Sequence, residues 1–245
     1  MKHQLPLVRT LLATNRIQST ISAISRSTTL PSSLTPSRIR TMSSSETVSF
    51  LDAVKARRSF VAINKTSPIP DDRVISIIQD TIKHSPSAFN VQSCRALILF
   101  GAEHEKFWDI AAKKTKDSVP EAVFAGLEPK IKGHRDSYGS VLFFEDTEAV
   151  KKLPPQFQGV FSQYPEWYAH AQGMNQFVAW TALTAEGLGC SLQHYKPNAE
   201  VLAEWKLPQS WVLHAQLVFG TPTGPPRGGE KVFPSLEDKV LVRGA

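Results

Sequence analysis

The sequence predicts an α+β domain, a sheet flanked by helices, and three observations carry that prediction. Four short segments at Leu97–Phe100, Val141–Phe144, about Cys190–His194 and Trp211–Phe219 have the length of strands, and all but the third are rich in β-branched, leucine and aromatic residues. Stretches of helical spacing separate these runs irregularly, which argues against a strictly alternating α/β chain. The stretch "PEWYAHAQGMNQFVAWTALTAEGLG" is apolar nearly all round, so it must lie centrally or between subunits.

Taken in order, "TVSFLDAVKARRS" sets Phe50, Leu51, Ala53 and Val54 at helical spacing and ends in a basic pair. "IPDDRVISIIQDTIKHSP" reads as a second helix capped by Asp71 or Asp72, with Val74, Ile77, Ile78 and Ile82 as its buried stripe and Pro86 enforcing its end. A polar stretch, "SPSAFNVQS", then leads into the first strand, and a helix is expected from Glu103 to about Lys116. In the longest helix Trp167, Ala171, Met174, Val178, Thr181, Ala185 and Leu188 alternate steps of four and three, a heptad-like stripe. Phe177, Trp180 and Leu183 make a second apolar side, and this surplus predicts an isologous interface between two copies. A short helix over Ala199–Trp205 separates the last two strands, "GTPTGPPRGGEK" is loop, and "DKVLVR" could add an edge strand.

Composition narrows the function. A chain of 245 residues with 41% hydrophobic residues supports one good core, and no run approaches the roughly 18–20 apolar residues of a membrane helix. The net charge of +6 is misleading. Lys2, Arg9, Arg16, Arg26, Arg38 and Arg40 precede the first carboxylate, Glu46, and without those six the remaining 22 basic residues match 22 acids. No nucleic-acid partner is therefore expected. Residues 1–45 are rich in Ser, Thr and Arg and resemble a mitochondrial presequence. The other reading is a disordered tail, with Met42 as an alternative start giving a cytoplasmic or nuclear form. Residues 46–245 form the folded domain.

The chain has no GxSxG elbow, no HExxH, no GxxxxGK[ST] and no GxGxxG after a strand. Its seven His show no metal-ligand spacing, and Cys94 and Cys190 read as core residues. Three dispersed segments carry complementary chemistry instead. Arg57, Arg58 and Ser59 close the first helix, Ser87, Asn90 and Gln92 supply short donors and acceptors, and Arg227 and Lys231 sit in a glycine-rich tail. Two cationic segments suit a phosphate, and amide side chains suit a flat ring with alternating N–H and C=O groups. That pair of features describes a flavin mononucleotide. Each segment also has a plainer reading: basic residues complementing a helix dipole, a helix stop, a solvated lysine.

The wording "RRSFVAI", "SPSAFNVQSCRA", "KFWDIA", "GSVLFFED", "FVAWTALTAEGLGCSLQHY" and "LPQSWVLHAQLVFG" resembles the nitroreductase superfamily of FMN enzymes, in its smaller fungal and bacterial branch linked to oxidative stress and lipid signalling. The resemblance covers essentially all of residues 47–245. It implies a nitroreductase-like fold, a mixed or antiparallel central sheet in an intertwined homodimer with two flavins at the interface. By motif match, Arg57, Arg58, Ser59 and Lys231 would hold the phosphate end. Pro86, Ser87 and Asn90, with Gln92 nearby, would lie by the ring from the other subunit. Leu192, Gln193 and His194 would pass the flavin N5 edge, with His194 a candidate proton donor to the acceptor.

The implied activity is alternating hydride transfer, from NAD(P)H to the flavin and on to a nitroaromatic, quinone or related small-molecule acceptor. Val61 departs from the family pattern, which places a cation there; Lys65 or an Arg of the pair could replace it. A flavin-binding redox sensor with little turnover is the rival reading.

Overall fold

A computed structural model of the chain describes residues 49–164 and 166–245. The leader and the alternative start at Met42 lie outside the described residues. The elements run α1 (Phe50–Ala56), α2 (Asp71–His84), β1 (Cys94–Phe100), α3 (Gly101–Ser118), α4 (Glu121–Arg135), β2 (Gly139–Asp146), α5 (Pro155–Gln163), α6 (Glu166–Ala185), β3 (Gly189–Gln193), α7 (Asn198–Glu204) and β4 (Trp211–Gly220).

The four strands form one sheet in the order β1-β2-β4-β3, antiparallel at every ladder, so the expectation of a mixed or antiparallel sheet resolves to antiparallel. β2 is buried along its whole length because helices cover both faces. Val141 and Phe143 point with Leu217 and Phe219 toward Val74, Ile77 and Ile78 of α2 and Ala179 and Leu183 of α6. Leu142 and Phe144 point with Leu213 and Val218 toward Phe107, Trp108 and Ala111 of α3, Phe124 and Ile131 of α4, and Val201 and Leu202 of α7. Each fully buried side chain of this size contributes about 1.5–3 kcal/mol, so the two clusters hold the three layers together.

Several local expectations change. Pro70 stands at the N-cap of α2 without a side-chain cap bond, and Asp71 and Asp72 occupy its first turn, where a carboxylate favours the dipole. The helix stops at His84, ahead of Pro86. α1 buries none of its residues, and Phe50 and Leu51 are exposed. In α6 the face against the sheet is Ala171, Gln172, Asn175, Gln176, Ala179 and Leu183, whereas Met174, Phe177 and Val178 of the expected apolar sides are exposed. The segment Asp238–Arg243 forms no strand. Helices α4 and α5 were not expected from the sequence.

Candidate functional site

The first basic segment is positioned by backbone rather than by helix packing. Past α1 the chain turns along the end of β3 and the strand-like run after β4. Ser59 bridges Cys190 in parallel and Ile63 bridges Pro222, while Phe60 N donates to Cys190 O at 2.9 Å and Arg227 N to Ser59 O at 2.7 Å. This lacing needs two glycines. A Cβ on Gly220 would lie 2.5 Å from Asn64 O, and one on Gly189, its partner across the ladder, 2.9 Å from Pro222 Cβ.

The lacing gathers three cations. The Arg57 guanidinium lies 4.3 Å over the Trp180 ring of α6. Arg58 Nη2 donates to Arg227 O at 3.2 Å and also to Gly229 O. Lys231 Nζ donates to Lys55 O at 2.9 Å and to Arg57 O at 3.4 Å. Among the described residues none of the three pairs with a carboxylate. Burial, and then the neighbouring guanidiniums, push the Lys231 ammonium below its ordinary range; burial and then Arg58 do the same to Arg57. Half-buried cations that repel one another and meet only carbonyls and an aromatic ring are a site for an anion.

The polar loop before β1 is a tight knot. Asn90 N donates to Ser87 O at 3.0 Å and Gln92 N to Ser87 Oγ at 3.0 Å, so the Ser87 hydroxyl is partly committed to its own loop. Pro86, Asn90 and Gln92 are exposed, and the Asn90 and Gln92 amides make no side-chain hydrogen bond among the described residues. At the end of β3, Leu192 packs into the core toward α2 and α6, and Gln193 turns to the other face, donating to Ser191 Oγ at 2.8 Å and meeting the His134 ring. His194 is exposed.

The structure brings Arg57, Arg58, Ser59 and Lys231 together with the start of β3. It does not bring them to Pro86, Ser87, Asn90 and Gln92. Phe89 of the loop touches Trp167 at one end of α6, and Arg57 touches Trp180 toward the other. At 1.5 Å per residue those contacts are about 20 Å apart along the helix. β1 and β3 are likewise opposite edges of the sheet, three strand spacings or about 14 Å apart.

Lys65 is withdrawn as a replacement cation for the exposed Val61: its ammonium pairs with Glu105 at 2.5 Å and Asp136 at 4.0 Å. Burial pushes the Cys94 thiol up to about 12 and the Cys190 thiol further, so both are inert core groups. Sequence reasoning missed the ring beneath Arg57, because Trp180 was assigned to an interface, and the aromatic wall of α5, a stretch to which it assigned no element.

Residues 54–221 match the family model described as "Nitroreductase family". HBN1 of Saccharomyces cerevisiae is 37% identical over 191 residues, covering 77% of this chain and 95% of its own length. The nitroreductase CinD from Lactococcus lactis, in complex with chloramphenicol, is 37% identical with a TM-score of 0.71, covering 80% of this chain and 100% of its own. A structure from Desulfovibrio desulfuricans in complex with FMN shares the fold at 20% identity and a TM-score of 0.56, over 80% of this chain and 96% of its own. With the matching model spanning more than half its length, this chain is an oxidoreductase of the nitroreductase family.

Proposed function

We propose that the chain is an FMN-dependent NAD(P)H oxidoreductase for nitroaromatic, quinone or related acceptors, working as a homodimer in which each site draws on both copies. The observation that carries this is the cluster of Arg57, Arg58 and Lys231, without a counter-ion among the described residues, which fits the phosphate of FMN by charge. Bound FMN would supply hydride chemistry, accepting a hydride from a nicotinamide and returning electrons to an acceptor. Arg57 and Arg58 would clamp the phosphate and Lys231 would close over it from the tail. The unpartnered amides of Asn90 and Gln92 would read the ring's alternating donors and acceptors, and the backbone of Leu192–His194 would border it. His194 would reach the acceptor from solvent. CinD bound to chloramphenicol, a nitroaromatic, supports that acceptor class.

The dimer rests on the separation of the two half-sites at opposite ends of α6 and on the apolar residues between them. Met174, Phe177 and Val178 are exposed on α6, as are Phe50 and Leu51 on α1. The tail residues Val240, Leu241 and Val242 are exposed too, and the unpaired edge of β1 borders a groove of about 840 Å³ lined by Ile75, Ile78, Ile82, Ala96, Ile98 and Phe100. The edge strand expected of "DKVLVR" would then form on the second copy.

Purified protein should be yellow and release FMN on denaturation. Arg57→Ala should lose flavin on dialysis more readily than Lys231→Ala, since a fork makes two charge-assisted bonds where a lysine offers a point charge. Equal retention would count against this phosphate site. Val178→Asp should give a colourless monomer or aggregate by light scattering, and a yellow folded monomer would sink the shared site. The exposed Val61, where a cation would otherwise favour flavin reduction, supports the sensor reading. Stopped-flow bleaching by NADH or NADPH in milliseconds would exclude the sensor, and bleaching over minutes would favour it.

A further inference from the structure

The loop between α2 and β1 holds a backbone that its own residues do not favour. Phe89, Asn90 and Gln92 have φ of 50°, 54° and 49°, the left-handed region, within four consecutive residues. Asn tolerates that region, but Phe and Gln meet their own carbonyls there, and no glycine relieves the stretch. Such backbone persists only where the surroundings over-determine it.

Two clamps supply that determination. The Phe89 ring stacks on Phe157 of α5 at 4.5 Å and 22° and meets the edge of Trp167 of α6 at 5.6 Å and 72°. Phe161 and Tyr164 brace Trp167 in turn, at 5.5 and 4.8 Å. At the other end Arg95 Nη1 donates to Gln92 O at 2.6 Å, and Arg95 Nη2 donates to Asp146 Oδ2 at 2.8 Å. Ser210 Oγ fixes Asp146 by donating to Oδ1 at 2.8 Å. Between the clamps the amides of Asn90, Val91 and Gln92 all bond inside the loop. The side chains left over are those of Asn90 and Gln92, turned outward.

We infer that Phe89 is a positioning residue. Its ring, seated against Phe157 and Trp167, imposes the left-handed backbone that presents the Asn90 and Gln92 amides to the ligand, while the Arg95–Asp146 pair fixes the loop's exit. The inference rests on the flavin reading for the ligand's identity and on this loop alone for the device. It differs from a ring that touches the ligand directly, because removing the support beneath it must have the same effect as removing the ring.

The experiment measures amide hydrogen exchange of the full chain, with and without FMN, alongside FMN affinity by fluorescence quenching. Three variants are compared: Phe157→Ala, Phe89→Asn and Phe89→Tyr. Phe157→Ala leaves the Phe89 ring but not its seat. Phe89→Asn suits a left-handed backbone better than Phe does, yet carries no ring. Both should speed exchange at residues 90–92 by about tenfold, leave β1 and β2 protection unchanged, and weaken FMN by about tenfold. Phe89→Tyr should keep both properties within about twofold. If Phe89→Asn preserves or tightens the loop and the affinity, local backbone preference sets the loop and the inference is overturned. Unchanged exchange in Phe157→Ala overturns it as well. Should wild-type protein fail to bind FMN, the flavin reading falls, and the exchange measurements still decide whether the clamp exists.

Discussion

The two faces of β2 treat polar atoms in opposite ways. On the face toward α3 and α4 the network is closed: His104 Nε2 donates to the His134 carbonyl at 3.0 Å, so its Nδ1 accepts from the Ser140 hydroxyl at 3.0 Å. Ser140 Oγ in turn accepts from Trp108 Nε1 at 3.1 Å, and Tyr195 meets the edge of Trp108. On the face toward α6 the network is left open. Gln172 Nε2 donates to Phe144 O and to Glu145 Oε2, yet among the described residues Gln172 Oε1 and Asn175 Oδ1 are buried without hydrogen-bond partners. The open face belongs to the helix that touches the cation cluster toward one end and the strained loop at the other, and unfilled hydrogen-bonding capacity concentrates there.

Four perturbations would break or sharpen that contrast. The largest is Trp108→Ala, which removes the middle of the closed face and should cost about 3–5 kcal/mol in urea unfolding. A loss below about 1 kcal/mol would mean that this face collapses around the gap. Next is acid. Burial holds His104 and His134 down at about 4, below the usual histidine range. The unfolded chain therefore takes up protons first, and stability should be full above about pH 6.5 and fall as pH drops toward 4, by about 3 kcal/mol per histidine at most. A flat unfolding free energy from about pH 6.5 to 5 would refute neutral, buried rings.

On the open face the sign reverses. Burial pushes the Glu145 carboxyl up, against the pull of neighbouring Ser93 and Gln172, so its ionisation costs stability as pH rises past its ordinary range. Glu145→Gln should stabilise the protein by about 1 kcal/mol at pH 8 and by nothing at pH 4. An equal effect at both values would point to packing instead of charge. The smallest effect is expected of Lys65→Met. Its exposed ion pairs are worth about 0–1 kcal/mol, and flavin retention after dialysis should not change. Bleached protein from this variant would return Lys65 to the site.

How far the sequence reveals this arrangement depends on which signal each element carries. Strands are legible where apolar residues run together, as in Val141–Phe144 of β2 and Leu217–Phe219 of β4, and α2 because its buried residues follow one stripe. α4 is illegible: it carries Gly126, Pro129 and Gly133 and buries only Phe124, Ile131 and His134. α5 opens on two prolines. α6 was legible as a helix with more apolar surface than one face needs, but its sheet-facing side was not, because Gln172, Asn175 and Gln176 face the sheet while Phe177 and Val178 face out. In the site, residue types at motif positions were legible; the Trp180 ring under Arg57 and the ring beneath Phe89 were not, since both are long-range contacts that no local pattern announces.

The glycine pair at Gly189 and Gly220 has a bearing on the order in which the molecule can be made. The cation cluster is stitched from the two ends of the described segment: Arg58 meets Arg227 across 169 residues and Lys231 meets Lys55 across 176. The segment that carries Arg57 is among the first of the folded part to leave the ribosome, yet its seat is the finished edge where β3 pairs with β4. Helices can form from local contacts, and β1 can pair with β2 once α3 and α4 have formed between them, while that segment waits; closing so large a loop is the slow step. A nascent chain stopped short of Gly220 would hold most of its hydrophobic core and no seat for Arg57, Arg58 and Lys231, so the cation cluster would form abruptly with the last strand rather than grow with the fold.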